Sequence, residues 1–225
     1  ERVRAKSVVI ACGARYRRLD IRNLSEFEAT CVHYWASPIE ARLCSGQEVA
    51  LVGAGNSAGQ AVVYLSAIVK KVWLIVRGRD LESTMSKYLV ERIRALPNVE
   101  IIARNEICGL EGAGGVLTNV RWRNRDTGAE TARPLGHLFL FIGADPNTDW
   151  LADSGVALDE KGFILTGGKD RHVLATSRDG IFAIGDVRAG SVKRGAAGVG
   201  EGAQVVVALH AFLAASRAST AMAAQ

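Results

Sequence analysis

The sequence predicts an α/β protein built on a parallel sheet, with a β-meander following the parallel part. Three observations lead there. The strands read at 48–52 and 71–76 each open on a charged residue and are then apolar at consecutive positions, as in strands covered on both faces. Each is followed by a helix-like stretch, at about 56–69 and about 86–96, the second stopped by Pro97. From 106 to 133 the pattern alternates, with turn signals at 112–115 and 126–128, as in short antiparallel strands.

The remaining elements follow in order. Residues 6–14 read as an interior strand running into a glycine turn, and 15–43 as a loop with a short helix around 38–43. Residues 99–103 form a third strand and 138–142 a buried one. Beyond Asp145 the character changes. Residues 163–165 and 180–184 read as strands, and a long helix spans about 198–215. Ala203, Val206, Val207, His210, Ala211 and Leu213 are available for its inner face. The Ala/Ser-rich stretch 216–225 is expected to be a flexible tail.

With 225 residues, 48% hydrophobic and 23% charged, the chain has the balance of a globular protein rather than a disordered one. No uninterrupted apolar run is long enough to cross a bilayer, and the charged first residues do not resemble a secretory leader. Cys12, Cys31, Cys44 and Cys108 form no Cys-x-x-Cys pair, and no His stands at metal-ligand spacing to them. They read as free thiols in a reduced, cytoplasmic compartment, without a structural metal. The formal net charge of +5 suits anionic nucleotide ligands. The basic cluster Arg121-Trp122-Arg123-Asn124-Arg125 alternates with period two and reads as the wet face of an antiparallel strand. Neither nucleic acid nor a membrane is expected as a partner.

The most specific local signal is Gly53-Ala54-Gly55-Asn56-Ser57-Ala58, lying between a strand and a helix. This Gly-x-Gly-x-x-Ala turn is the shape of a dinucleotide-binding site. Gly53 allows the tight turn, Gly55 lets a pyrophosphate approach the backbone, and Ala58 lets helix and strand pack closely. The first helical turn, including Asn56 and Ser57, offers N–H groups and a positive dipole end to phosphates. At the end of the next strand, where an acid would hold a ribose 2′-hydroxyl, the sequence has Arg77, with Arg79 close behind. A guanidinium matches a 2′-phosphate in charge and geometry, so NADPH is expected over NADH.

These motifs occur in order with Phe141-Ile142-Gly143-Ala144-Asp145-Pro146-Asn147-Thr148 and with Ile184-Gly185-Asp186-Val187, followed by Lys193-Arg194. Together they resemble the low-molecular-weight thioredoxin reductase family. Ala11-Cys12-Gly13-Ala14 is similar to that family's Ala-Thr-Gly-Ala turn. The resemblance runs from about Lys6 to Leu213. It implies a Rossmann-like NADPH-binding domain, residues 45–144, inserted into an incomplete FAD-binding α/β domain, residues 1–44 and 145–225. It places Gly143 among the cofactor-binding residues and puts Gly185 and Asp186 against the flavin's ribityl and phosphate region. There the carboxylate accepts hydroxyls and the turn offers N–H groups to an anion. Arg194, Gly195 and Ala196 would lie near the isoalloxazine ring.

Two departures stand out. The family's first Gly-x-Gly-x-x-Gly, which cradles FAD, does not occur ahead of residue 6, so a C-terminal fragment of a longer flavoprotein is expected. The family's Cys-x-x-Cys aligns with Trp35-Ala36-Ser37-Pro38, which cannot form a dithiol. A bridge between Cys31 and Cys44 is the less favoured arrangement. His33 lies near this segment, where contact with flavin or acceptor is weighed against simple packing. Tyr34 and Trp35 either shield a flavin face or serve the core, and His210 is expected to pack or cap.

The expected function is hydride transfer from NADPH to FAD and on to an acceptor, with no side-chain nucleophile. Ferredoxin, flavodoxin, thioredoxin or a small quinone-like molecule are the acceptors considered, and a homodimer is expected. Thioredoxin–disulfide reductase activity by family is one alternative. An NADPH-binding module without turnover is the other.

Overall fold

The computed structural model describes residues 3–28, 30–169, 171–193 and 195–223. The chain begins with β1 (Val8–Ile10), β2 (Ala14–Tyr16), α1 (Leu24–Phe27), β3 (Val32–His33) and α2 (Pro38–Leu43). The βαβ region follows as β4 (Glu48–Val52), α3 (Asn56–Ser66), β5 (Lys71–Val76), α4 (Lys87–Arg94) and β6 (Val99–Ala103). Then come β7 (Asn105–Ala113), β8 (Val116–Asn124), β9 (Glu130–Arg133), β10 (Leu138–Leu140) and β11 (Ala144–Pro146). The chain finishes with β12 (Ile181–Ala183) and α5 (Gly195–Ala223). Two compact units emerge, one of Tyr16–Gly143 and one of Glu1–Arg15 with Ala144–Gln225.

The Tyr16–Gly143 unit is centred on a five-stranded sheet in the order β3-β10-β4-β5-β6, every neighbouring pair parallel. Its strands are apolar on both faces because both faces are covered. Val49 and Leu51 of β4 and Val72, Leu74 and Val76 of β5 meet Ala58, Val62 and Leu65 of α3 and Leu89, Val90 and Ile93 of α4. Ala50, Val52, Trp73 and Ile75 point the other way. They meet Ile107 and Leu110 of β7, Val120 and Trp122 of β8, and Leu24 and Phe27 of α1. The β7-β8-β9 meander is antiparallel and forms this second cover. Arg121 and Arg123 flank the buried Trp122 on its outer face, as the alternation predicts.

The first boundary differs from the one expected at 44/45, which falls inside this unit. The physical reason is burial: Leu24, Phe27, Cys31 and Val32 belong to the core under the parallel sheet, and β3 is that sheet's edge strand. The helix at 38–43 starts on a capping box. The Ile39 N–H donates to the Ser37 hydroxyl, and the Ser37 N–H donates to the Glu40 carboxylate, with Pro38 in the first turn.

In the other unit β1 pairs in parallel with β12, and β2 pairs with β11. One core contains Ile10, Leu151, Val156, Ile164, Ala183 and Val187, and another contains Leu174, Phe182, Val205 and Ala208. The strand expected at 163–165 reduces to isolated bridges from Ile164 to Leu158 and Arg188. The inner face of α5 also differs from expectation. Val205, Ala208, Leu209 and Phe212 pack inward, whereas Ala203, Val206, Val207, His210 and Ala211 are exposed. Apolar residues surround this helix, so periodicity alone could not select the buried stripe. The helix backbone continues to Ala223, through most of the stretch expected to be a flexible tail. Its segment Gly195–Ser216 is long and apolar enough to cross a membrane by length and composition, contrary to the reading of the sequence. Val205, Ala208 and Phe212 nevertheless seat it on protein, and Glu201 pairs with Arg188 at 2.5 Å.

An imidazole pair, buried at His33 and half-buried at His137, lies beside β3 and β10 of the parallel sheet. His33 Nε2 is 3.0 Å from His137 Nδ1, the rings are stacked 5.3 Å apart, and His33 also meets Phe139. Burial, reinforced by the facing His137, lowers the His33 pKa to about 4, and burial lowers that of His137. The unfolded chain therefore binds protons that the folded one resists. The stabilisation is fully present above the ordinary histidine pKa and is lost as pH falls toward about 4. The midpoint of urea unfolding is expected to drop between pH 7.5 and pH 5, and this part of the pH dependence to vanish in the His33→Leu, His137→Leu double variant. Truncating the fully buried Leu74 to Ala is expected to cost about 2–5 kcal/mol in the same measurement.

Candidate functional site

The strand β4 ends on the glycine turn, and its geometry explains each small residue. Gly53 has φ +151°, and a Cβ there would lie 2.5 Å from the Phe141 carbonyl oxygen and 2.9 Å from the Ala58 Cβ. No side chain fits. Gly55 caps α3 with φ −88° and brings no side-chain acceptor to the helix N-terminus. A Cβ at Gly55 would meet nothing within 4 Å, so its surface is open. The first-turn N–H groups of α3 thus face space that an anion can enter. Ala58 is fully buried, and its methyl group sits against Gly53.

The loop after β5 is drawn towards this turn by two hydrogen bonds. The Thr84 hydroxyl donates to the Ala54 carbonyl at 2.8 Å, and the Ser86 N–H donates to Asn56 Oδ1 at 2.8 Å. The Asn56 side-chain oxygen is therefore engaged in holding α4 against α3. Ser57 remains exposed. Between these helices runs an open groove of about 580 Å³ whose lining includes Asn56, Gln60, Tyr64, Ser86, Tyr88 and Arg92. Its residues carry no convergent set of charges.

A second cleft, of about 310 Å³, lies at the C-terminal ends of β5 and β6 and is lined by Arg77, Gly78, Arg79, Arg104, Arg125 and Asp126. Because β4 and β5 pair with Val52 level with Ile75, this cleft begins about one strand spacing, roughly 5 Å, from the strand that carries the glycine turn. The guanidiniums of Arg77 and Arg79 make no hydrogen bond or ion pair among the described residues. Asp80, next in sequence, uses its carboxylate to accept the Ser83 N–H at 3.3 Å and does not close the cleft. Sequence reasoning singles out Arg77 and Arg79 as candidates, and the structure adds Arg104 and Arg125 to the lining of the same cleft. The alternation assigns Arg125 to the strand face, yet it lies just past the end of β8. There Asn124 Oδ1 accepts the Asp126 and Thr127 N–H groups and turns the chain. The Asn-x-x-x-Gly spacing of that turn is the available signal.

The residues assigned to a flavin fare differently. Gly185 has φ +74° and opens a 3₁₀ turn with Asp186. Its N–H donates to Glu201 Oε2 at 2.6 Å, so the donor expected to meet an anion is already taken by a carboxylate. Glu201 is held below its usual range chiefly by Arg188. The Asp186 carboxylate makes no hydrogen bond among the described residues and is able to accept hydroxyls. Lys193 Nζ donates to the Asp186 carbonyl at 2.7 Å and lies 4.3 Å from the Phe163 ring. Gly195 and Ala196 are the exposed first residues of α5, and Arg194 lies outside the described residues. Gly143 has φ +99°, and its carbonyl accepts the Arg17 N–H at 3.0 Å. His210 is exposed and neither packs nor caps. The four cysteines are free thiols. Cys31 and Cys44 lie in different cores, on opposite faces of the parallel sheet, and cannot form a bridge.

Residues 1–210 match the family model described as pyridine nucleotide-disulphide oxidoreductase. An alkyl hydroperoxide reductase component from Pseudomonas putida is 34% identical over 206 residues, covering 92% of this chain and 38% of that protein. Thioredoxin reductase of Borreliella burgdorferi is 33% identical over 185 residues, covering 82% of this chain and 54% of that protein. The chain thus spans between about two fifths and just over half the length of these curated relatives. Among solved structures, thioredoxin reductase from Giardia duodenalis superposes with a TM-score of 0.80 at 29% identity, over 92% of this chain and 66% of that one. The enzyme from Streptococcus pyogenes gives 0.76 at 30% identity, over 93% and 66%. With a parallel sheet, a Gly-x-Gly-x-x-Ala turn at the end of its central strand and a family match over nearly its whole length, the chain belongs to the pyridine nucleotide-disulphide oxidoreductase family.

Proposed function

We propose that this chain holds the NADPH-binding part of a thioredoxin reductase-like, FAD-dependent oxidoreductase. The observation that carries the reading is the adjacency of two anion-receptive features at the ends of neighbouring strands. The open N-terminus of α3 suits a pyrophosphate, and the arginine cleft after β5 suits a 2′-phosphate. The residues present fit the nucleotide. Gly53 and Ala58 keep the turn tight, Gly55 leaves its surface bare, and Arg77 and Arg79 supply guanidiniums that are uncommitted among the described residues.

When bound together, the nicotinamide and flavin groups supply hydride transfer and onward delivery of electrons to an acceptor. The chain's own part is to bind, orient and exclude water. No side chain is required to act as nucleophile. The fit to FAD is weaker, because Glu201 occupies the Gly185 N–H. The flavin half of the reading rests on family membership and on the Asp186 carboxylate, whose oxygens accept no hydrogen bond among the described residues. For the acceptor, a ferredoxin, flavodoxin or small molecule is favoured over a disulfide relayed through residues 35–38. Those residues are Trp, Ala, Ser and Pro and serve as a helix cap. Disulfide reduction, which the names of the relatives suggest, is the second reading.

Calorimetric titration of the purified chain is expected to give tighter binding of NADPH than of NADH. Arg77→Ala is expected to weaken NADPH by about tenfold while leaving NADH nearly unchanged. Equal affinity of the purified chain for the two nucleotides would remove the 2′-phosphate argument. Gly53→Ala is expected to reduce the affinity for both nucleotides, since its Cβ forces the turn away from the Phe141 carbonyl. Flavin absorbance in the purified protein would favour the two-cofactor reading over a nucleotide-binding module without turnover.

A further inference from the structure

We infer that Arg125 and Arg104, carried by the antiparallel meander and the end of β6, form the second wall of the 2′-phosphate site and set its selectivity. The inference rests on the NADPH reading and names residues that the strand-end argument does not reach.

The geometry is specific. Arg104 is the one non-glycine residue with positive φ among the described residues, at φ +58°. Its N–H donates to the Gly78 carbonyl at 2.9 Å, and its carbonyl accepts the Arg125 N–H at 2.8 Å. This left-handed residue therefore links the arginine loop after β5 to the end of β8. Left-handed backbone is unfavourable at a residue with a Cβ. Arg125 reaches back as well, with Nη1 donating to the Arg77 carbonyl at 3.4 Å. The two elements thus share one cleft, with guanidiniums from both sides.

The charges point to a doubly charged anion. Arg104 pairs with Asp126, and Arg125 lies 3.5 Å from Glu106. Arg77 and Arg79 have no such counter-ion among the described residues. Four guanidiniums against two carboxylates leave two positive charges, and a phosphate monoester carries about −1.5 to −2 near neutral pH. The small cleft volume, about 310 Å³, suits one phosphorylated ribose with part of its base rather than a whole dinucleotide. Asp126 competes with the phosphate for Arg104. Occupancy is expected to draw Arg104 from the carboxylate to the ligand.

The test uses 2′,5′-ADP and 5′-AMP as probes, titrated calorimetrically into the whole chain. The ratio of their affinities isolates the 2′-phosphate. Arg125→Ala and Arg104→Ala are each expected to lower that ratio by about tenfold while leaving 5′-AMP binding within about twofold. Arg125→Lys, which keeps the charge and protects the fold, is expected to lose less of the ratio. Asp126→Asn is expected to raise it. A wild-type chain that does not prefer 2′,5′-ADP would overturn the NADPH reading itself. A wild-type preference lost in Arg77→Ala but intact in both Arg125→Ala and Arg104→Ala would overturn only the present inference. A matching fall in 5′-AMP affinity and melting temperature in the alanine variants, with Arg125→Lys and Asp126→Asn leaving the ratio unmoved, would also overturn it, assigning these residues a structural role.

Discussion

The strands β4 and β5 bury side chains on both faces, and that demand organises the Tyr16–Gly143 unit. Val49, Leu51, Leu74 and Val76 cannot be left in water on one side, nor Val52, Trp73 and Ile75 on the other. Each side chain of this size gains roughly 1.5–3 kcal/mol on full burial, so an uncovered face would cost a large fraction of a typical domain's stability. Helices α3 and α4 cover one face, and the β7-β8-β9 meander with α1 covers the other. Both covers leave open the edge where the strands end. Gly55, Arg77 and Arg104 stand at that edge and leave their surfaces open to a ligand.

The same demand explains why small residues sit where they do. Between β4 and α3 the chain must reverse while the strand stays pressed against the segment leaving β10. The Phe141 N–H donates to the Val52 carbonyl, and the Phe141 carbonyl fills the space where a side chain at 53 would stand. Close packing thus excludes a Cβ at Gly53, whereas at Gly55 the space is simply empty. One glycine serves the fold and the other leaves room at the surface, although both belong to a single motif.

The sequence made the parallel layer legible because its signals are local. The apolar residues of β4, β5 and β6, the glycine turn and the stop at Pro97 each act within a few positions, and their boundaries agree with the structure to within a few residues. Features set by distant partners were not legible. The buried face of α5 is Val205, Ala208, Leu209 and Phe212, because Phe182 and Leu174 receive them, while the neighbouring valines are equally apolar. The meander's share of the cleft was hidden for the same reason. Arg104 and Arg125 are far apart in sequence and meet through backbone hydrogen bonds that no periodicity encodes. Glu201 taking the Gly185 N–H is a third case, a contact across 16 positions.

The segment at 35–38 shows how a local signal redirects the chemistry. Ser37, Pro38 and Glu40 satisfy the start of α2, and Trp35 Nε1 donates to Glu40 at 2.9 Å, so each polar side chain in the segment has a structural partner. The thiols nearest in sequence do not substitute for a dithiol. Cys44 is buried, which pushes its pKa up to about 11, leaving on the order of one thiolate in ten thousand at pH 7. Its sulfur donates to the Glu40 carbonyl at 2.9 Å rather than facing another sulfur. Cys31 lies across the sheet, among the side chains under the meander. Thiol–disulfide exchange needs a thiolate and a line of attack on sulfur, and among the described residues neither cysteine offers both. A dithiol pair made of Cys31 and Cys44 is therefore excluded by their separation across the sheet.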